Sequence, residues 1–187
     1  MGRIREQLEK LNDQLYFDET DFLREKVGDP KLVDELITQV RRELMVSEAQ
    51  DERCFLYGTL GNLYRLQGNL EKSIDCLKEA LKIAASDSAR EIVMRIRLGE
   101  TYKYHQDYQK ALDQFELAEL IGLEYEPQYL DFAYQHKGKC LMEMGMYNEA
   151  KEAFENAHAI RKGKKDEKLI QSTEKAMELL DQLVESE

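Results

Sequence analysis

Three stretches decide the fold: Tyr57-Gly-Thr-Leu60-Gly61-Asn-Leu-Tyr64, Arg95-Ile-Arg-Leu98-Gly99-Glu-Thr-Tyr102 and Tyr134-Gln-His-Lys137-Gly138-Lys-Cys-Leu141. Their glycines lie 38 and then 39 residues apart. A second set follows each at constant offset: Ser73, Leu77, Ala80; Ala111, Phe115, Ala118; Ala150, Phe154, Ala157. Residues three and four apart share one helical stripe, so each set predicts a helix with one apolar face. Between the sets lie turn-like stretches, Gln67-Gly68-Asn69, His105-Gln106-Asp107 and Met144-Gly145-Met146. Each copy therefore reads as two antiparallel helices. Small residues at the Gly61 and Ser73 positions allow close approach, and Leu77, Phe115 and Phe154 fill the space alongside. One such pair cannot bury its own apolar face, so neighbouring copies must stack.

This pattern resembles the tetratricopeptide repeat, a helix–turn–helix unit of about 34 residues with W-x2-L-G-x2-Y, A-x3-F and a closing Pro. The second copy matches best, through Leu98, Gly99, Tyr102, Ala111, Phe115 and Ala118. Tyr57 and Tyr134 replace the Trp, Arg95 departs from it, and Ala85, Leu123 and Lys162 stand where Pro closes the repeat. The longer period is closer to the looser repeats of bacterial peptide-sensing regulators and some scaffold proteins. The resemblance covers roughly residues 50–163. It implies an all-α chain: a right-handed α-solenoid of antiparallel helix pairs.

The flanks extend this reading. Residues 1–48 are expected to hold N-terminal helices, residues 49–163 three repeats, and residues 164–187 a C-terminal capping helix. Ile4, Leu8, Leu11 and Leu15 form a short stripe on a first helix. Gly28-Asp29-Pro30 reads as a turn, with Pro30 suited to a first helical turn. Val33, Ile37, Val40 and Leu44 give the next stripe, and residues 17–47 read as a degenerate additional repeat. Leu169, Ile170, Thr173, Ala176, Met177, Leu180, Leu183 and Val184 form one amphipathic face that would cover the last repeat. Arg161-Lys-Gly-Lys-Lys-Asp166 reads as a solvated connector ahead of it.

Charge and composition limit the function. The 27 basic and 38 acidic residues leave a net charge of −11. That argues against nucleic acid and anionic membranes as partners. No run of 18 apolar residues occurs, and Met1–Glu6 reads as neither a secretory signal nor a myristoylation site. Cys54, Cys76 and Cys140 are odd in number and lack CxxC spacing, which fits buried thiols in a reducing cytoplasm. Phosphate loops, dinucleotide loops, zinc-protease and serine-hydrolase motifs are absent, and His105, His136 and His158 fall at unrelated offsets. The chain is expected to be no enzyme and to need no metal or cofactor.

Chemistry therefore falls to the groove. In tetratricopeptide proteins the first helix of each repeat lines the concave face. Carried over by register, the partner-binding residues are Asn62 and Arg65; Ile96, Glu100, Lys103 and Tyr104; and Gln135, Lys139 and Met142. Asn can bond a peptide backbone through both halves of its amide, the three cations could receive carboxylates, and Tyr104 offers an amphipathic contact. The carboxylate clamp of cochaperones in this family is not matched, because Gly58 stands at its first Lys and Glu100 at its second Asn. The resemblance implies a non-enzymatic adaptor or chaperone-like scaffold that holds a peptide or partner helix. A second reading is a signalling-peptide-sensing regulator. A third is a structural protein that self-associates into a homo-oligomer through its terminal helices.

Overall fold

The computed structural model describes residues 2–186. Helix α1 (Gly2–Asn12) leads into two short strands, β1 (Leu15–Asp18) and β2 (Arg24–Val27). Helix α2 (Pro30–Val46) follows, and then the three repeats. These pair α3 (Gln50–Gln67) with α4 (Leu70–Ala84), α5 (Ser88–Tyr104) with α6 (Tyr108–Glu124), and α7 (Leu130–Glu143) with α8 (Tyr147–Lys164). A single 3-10 turn (Pro127–Tyr129) precedes α7, and α9 (Glu167–Glu185) packs on α8 and α7. The chain is an all-α repeat fold with one antiparallel hairpin set into it.

The repeat period is written in close contacts. A Cβ placed on Gly61 would meet Leu77 Cγ at 2.4 Å, on Gly99 would meet Phe115 Cε1 at 2.5 Å, and on Gly138 would meet Phe154 Cδ1 at 2.7 Å. Each first helix thus touches its partner with bare backbone against a large side chain. Ser73, fully buried, donates its hydroxyl to the Gly61 carbonyl at 2.7 Å and lies 2.9 Å from the Thr101 hydroxyl. One small polar side chain therefore joins the first pair to the second.

Helix ends follow from local chemistry. Asp29, Asn69, Asp87 and Asp166 each cap a following helix by accepting a backbone N–H, and Pro30 fills the first turn of α2. The three intra-repeat turns all pass through the left-handed region, at Gly68 (φ 84°), Gln106 (φ 63°) and Gly145 (φ 73°). Gln106 is the copy that does so with a side chain.

Three sequence expectations change. Residues 17–27 of the expected additional repeat form the hairpin, so that unit lacks its first helix. The stripe on α1 ends with Leu11, because Leu15 already belongs to β1. The basic run is no connector: α8 continues through Lys164, Lys165 turns the chain at φ 58°, and Arg161 is buried. The core is accordingly in two parts. One runs along the repeats, and the other joins Ile4 and Leu11 of α1 to Val33, Leu36 and Val40 of α2 and to Leu56, Leu60 and Leu63 of α3.

Candidate concave-face site

Helices α3, α5 and α7 stand side by side and present successive copies of the same register. One row is Asn62, Glu100 and Lys139; the next, one turn on, is Arg65, Lys103 and Met142. The hairpin lies against this face. Its register pairs Leu15 with Val27, Tyr16 with Lys26, Phe17 with Glu25 and Asp18 with Arg24. Asp18 organises the turn by accepting from the Thr20 N–H and hydroxyl and, through its carbonyl, from the Leu23 N–H. Phe22 and Leu23 both take positive φ, at 50° and 55°. That is costly for side chains of this size, on the order of 1–2 kcal/mol each. The return is the burial of Leu23, which joins the core of the repeats.

Strand β2 is held by charge and by its main chain. Arg65 Nη2 lies 2.5 Å from Glu25 Oε2 and also donates to Asn62 Oδ1 at 2.9 Å. The Tyr104 hydroxyl accepts the Glu25 N–H at 2.6 Å and donates back to the Glu25 carbonyl at 3.4 Å. The guanidinium groups of Arg24 and Arg65 both lie over the Tyr104 ring, at 5.1 and 4.8 Å from its centroid. Arg24 binds Glu143 through two nitrogens, at 2.5 and 3.3 Å. Lys139 donates to the Leu23 carbonyl at 3.3 Å and sits 4.4 Å from the centroid of Phe17.

Behind the hairpin, buried ionic groups meet one another. Lys103 lies 3.0 Å from Glu100 and 3.5 Å from Glu143. His136 Nδ1 is also 3.0 Å from Glu100, and its ring stacks on Phe115. Burial alone would raise the Glu100 pKa, but Lys103, His136 and Arg65 outweigh it and hold the carboxyl well below its usual range. Burial opposes the charge on Lys103 too, yet Glu100 and Glu143 raise its pKa above normal. For His136 burial wins and its pKa falls. Lys139 is the exception among the lysines: burial, then Lys103, push it down to about 8, and Glu100 and Glu25 do not compensate. Burial carries the Tyr104 hydroxyl up to about 12, so it stays protonated and can donate.

A cavity of about 390 Å³ remains between the hairpin and the helices. Asn62, Arg65, Ile96, Glu100, Gln135 and Lys139 line it, all six named from register. Lys103, Tyr104 and Met142 do not. Lys103 is walled in by its two acids, Tyr104 is covered by β2, and Met142 is 1% exposed within the core. The cavity also takes Phe17 and Glu25 from the hairpin, Val93 and Arg97 from α5, Phe132 and His136 from α7, Arg161 from α8, and Tyr129, Leu169 and Ser172. Register could have found Val93 and Phe132, which occupy equivalent places 39 apart, and Arg97 with His136, likewise 39 apart. No local signal marks Arg161. Its guanidinium donates to Asp131 Oδ2 at 2.9 Å, Gln135 Oε1 at 3.0 Å, Thr173 Oγ1 at 2.8 Å and the Leu169 carbonyl at 3.1 Å. One buried cation thus ties α7, α8 and α9 together.

The sequence profile of the tetratricopeptide repeat matches residues 52–119, and a second profile of the same repeat matches residues 133–163. The chain belongs to the tetratricopeptide repeat family. The sequence matches no curated protein. Among solved structures, the apo form of RapI superposes with a TM-score of 0.69 at 15% identity, over 85% of this chain and 59% of RapI. This chain thus spans less than two thirds of that protein. A putative kinesin light chain of Podosopora anserina with TPR-like repeats gives 0.62 at 18% identity, over 96% of this chain and 92% of its own. BtubC from P. vanneervenii gives 0.58 at 17%, over 82% and 68%. These likenesses establish the repeat fold. The family is in general a non-enzymatic protein-interaction fold, and its members bind protein or peptide partners. Among the described residues no helix is long and apolar enough to cross a membrane.

Proposed function

We propose that this protein is a non-enzymatic adaptor or scaffold whose concave face binds an extended segment of a protein partner. Its own hairpin occupies that face until the partner arrives. The observation that carries this reading is the way β2 is held. Arg65 takes an acidic side chain, Tyr104 takes both backbone groups of one residue, and Lys139 takes a carbonyl. The Tyr104 and Lys139 contacts use backbone groups common to any extended chain and the Arg65 contact selects an acidic residue, so the surface is suited to a peptide strand. A partner helix, the other occupant considered from sequence, would have to remove the whole hairpin. The three cysteines are free, and burial pushes Cys76 up to about 11 and Cys140 up to about 12, which supports inert thiols in a reducing cytoplasm.

The test is a competition. A labelled peptide copying residues 21–28 is titrated into the full chain and into the full chain carrying Leu23→Ala with Arg24→Ala, which loosens the hairpin. The loosened chain should bind the peptide at least about tenfold more tightly, because it no longer competes with itself at equal strength. Failure of both chains to bind, with helical circular dichroism intact, would overturn the assignment. The regulator reading differs only in ligand: it requires a free short peptide rather than a segment of a folded partner.

A further inference from the structure

We propose that the cavity behind the hairpin binds a carboxylate ligand with an apolar body, its carboxylate received by Arg97 together with Arg65, Gln135 and Lys139. This inference rests on the concave face being a ligand-binding face, and it names the chemistry of what enters.

The argument is a count of donors and acceptors. Arg65 is buried and uses Nη2 on Glu25 and Asn62, but its Nη1 has no partner. Gln135 is buried and gives its oxygen to Arg161, while its Nε2 has none. Lys139, 5% exposed, has one hydrogen-bond acceptor, the Leu23 carbonyl. The Arg97 guanidinium has no ion-pair or hydrogen-bond partner among the described residues, and burial and Arg65 together lower its pKa. The carboxylates and side-chain amide oxygens facing the same space already lie against cations, although Glu100 Oε1 makes no well-formed hydrogen bond. Glu25 and the Asn62 carbonyl oxygen serve Arg65, Glu100 serves Lys103 and His136, and the Gln135 oxygen serves Arg161. The site therefore carries surplus donors and surplus positive charge. Leaving such groups unpaired in a buried place is unfavourable, and an anion relieves it.

The remaining walls state the other half of the ligand. Val93, Ile96, Phe132 and Leu169 offer apolar surface, and about 390 Å³ falls within the range of small-ligand pockets. A bare inorganic anion would leave these walls uncovered. A free organic acid and the carboxylate of a short peptide both fit, and they share the recognition chemistry.

Calorimetric titration of the full chain decides the matter, with five probes: hexanoate, N-acetyl-Leu-Phe as free acid, the amide of each, and inorganic phosphate. Each is repeated on Arg97→Gln and on Arg41→Gln, the latter on α2 and not among the residues that line the cavity. At least one acid should bind at least about tenfold more tightly than its amide. That preference should be lost in Arg97→Gln and kept in Arg41→Gln. If hexanoate binds the better, the natural ligand class is a free organic acid; if the dipeptide acid does, it is a peptide carboxylate. Equal binding of acids and amides, no binding at all, phosphate matching the acids, or an unaffected Arg97→Gln would overturn the proposal. Binding of the residue 21–28 peptide without binding of any acid removes this inference alone. Binding of an acid without that peptide removes the partner-strand reading alone.

Discussion

Glu25 of the hairpin and Arg65 of α3 stand 40 residues apart and close to 2.5 Å, with the Tyr104 ring against the same guanidinium. Arg65 is buried, while the Glu25 side chain keeps 21% of its surface. Burial works against the charge on Arg65, and Tyr104, Glu25 and Glu100 together restore it. Glu25→Gln would leave that cation without its carboxylate. A loss of about 1–3 kcal/mol is expected, below the range for fully buried pairs because Glu25 still reaches water. Hydrogen exchange of the amides of residues 15–27 should accelerate while those of α5 and α7 stay protected. Uniform acceleration through the repeats would show that the hairpin is part of the global fold instead.

The glycine positions give a graded series. Ala at Gly99 would drive its Cβ to 2.5 Å from a fully buried Phe115, so the helices must part or the ring must move. Overpacking of this kind costs about 1–3 kcal/mol. Ala at Gly163, where a Cβ meets nothing within 4 Å, should be neutral or slightly stabilising. Thermal or urea unfolding of the two variants checks the order.

Gln106 invites the opposite change. It takes φ 63° where Gly68 and Gly145 perform the same turn in the flanking repeats. Gln106→Gly should relieve about 1 kcal/mol of left-handed strain, offset in part by greater freedom of the unfolded chain. A small rise in unfolding midpoint is expected, and a fall would mean that the Gln106 side chain contributes more than its backbone costs.

The repeats were legible because Leu60, Gly61 and Leu77 recur at fixed offsets, and constant offset preserves which side chains face the groove. That is why six residues named from register meet around one cavity. Their neighbours Lys103 and Met142 share the register, but local partners and core packing enclose them. The hairpin was not legible. Its strands have four residues each, and Phe22 and Leu23 stand at left-handed positions where a hairpin signal would show Gly or Asn. Arg161 was misread because a basic run is usually solvated, and its partner Asp131 lies 30 residues earlier.

That pair carries its own prediction. The side chains of Arg161 and Asp131 are 2% and 0% exposed. Asp131→Ala would take from Arg161 and Lys164 the carboxylate they share, and should cost about 3–5 kcal/mol. Arg161→Met keeps volume but leaves the buried Asp131 with Lys164 as its one cation, and is expected to cost less, about 1–3 kcal/mol. The double variant should cost less than the sum of the singles, since the buried charge that each single variant leaves behind is then removed. Additive losses in a double-mutant cycle would contradict a coupled pair.

Lys139 sets a pH dependence. Facing it are Glu25 from β2, Glu100 and Lys103 from α5, His136 from α7 and Arg161 from α8. Its pKa falls from 10.5 unfolded to about 8 folded. Below pH 8 both states hold the proton, and the full cost of a poorly compensated buried ammonium is present, on the order of 3 kcal/mol. Between about 8 and 10.5 the unfolded chain holds more protons than the folded one, so this group makes stability rise with pH. Other groups titrate in the same window, so the comparison must be with Lys139→Met. The variant loses the bond to the Leu23 carbonyl but also loses the buried charge. Its stability relative to wild type should be highest near pH 7 and decline as pH approaches 10. A difference that stays flat across that range would mean that Lys139 keeps an ordinary pKa and that its charge is already compensated in the folded chain.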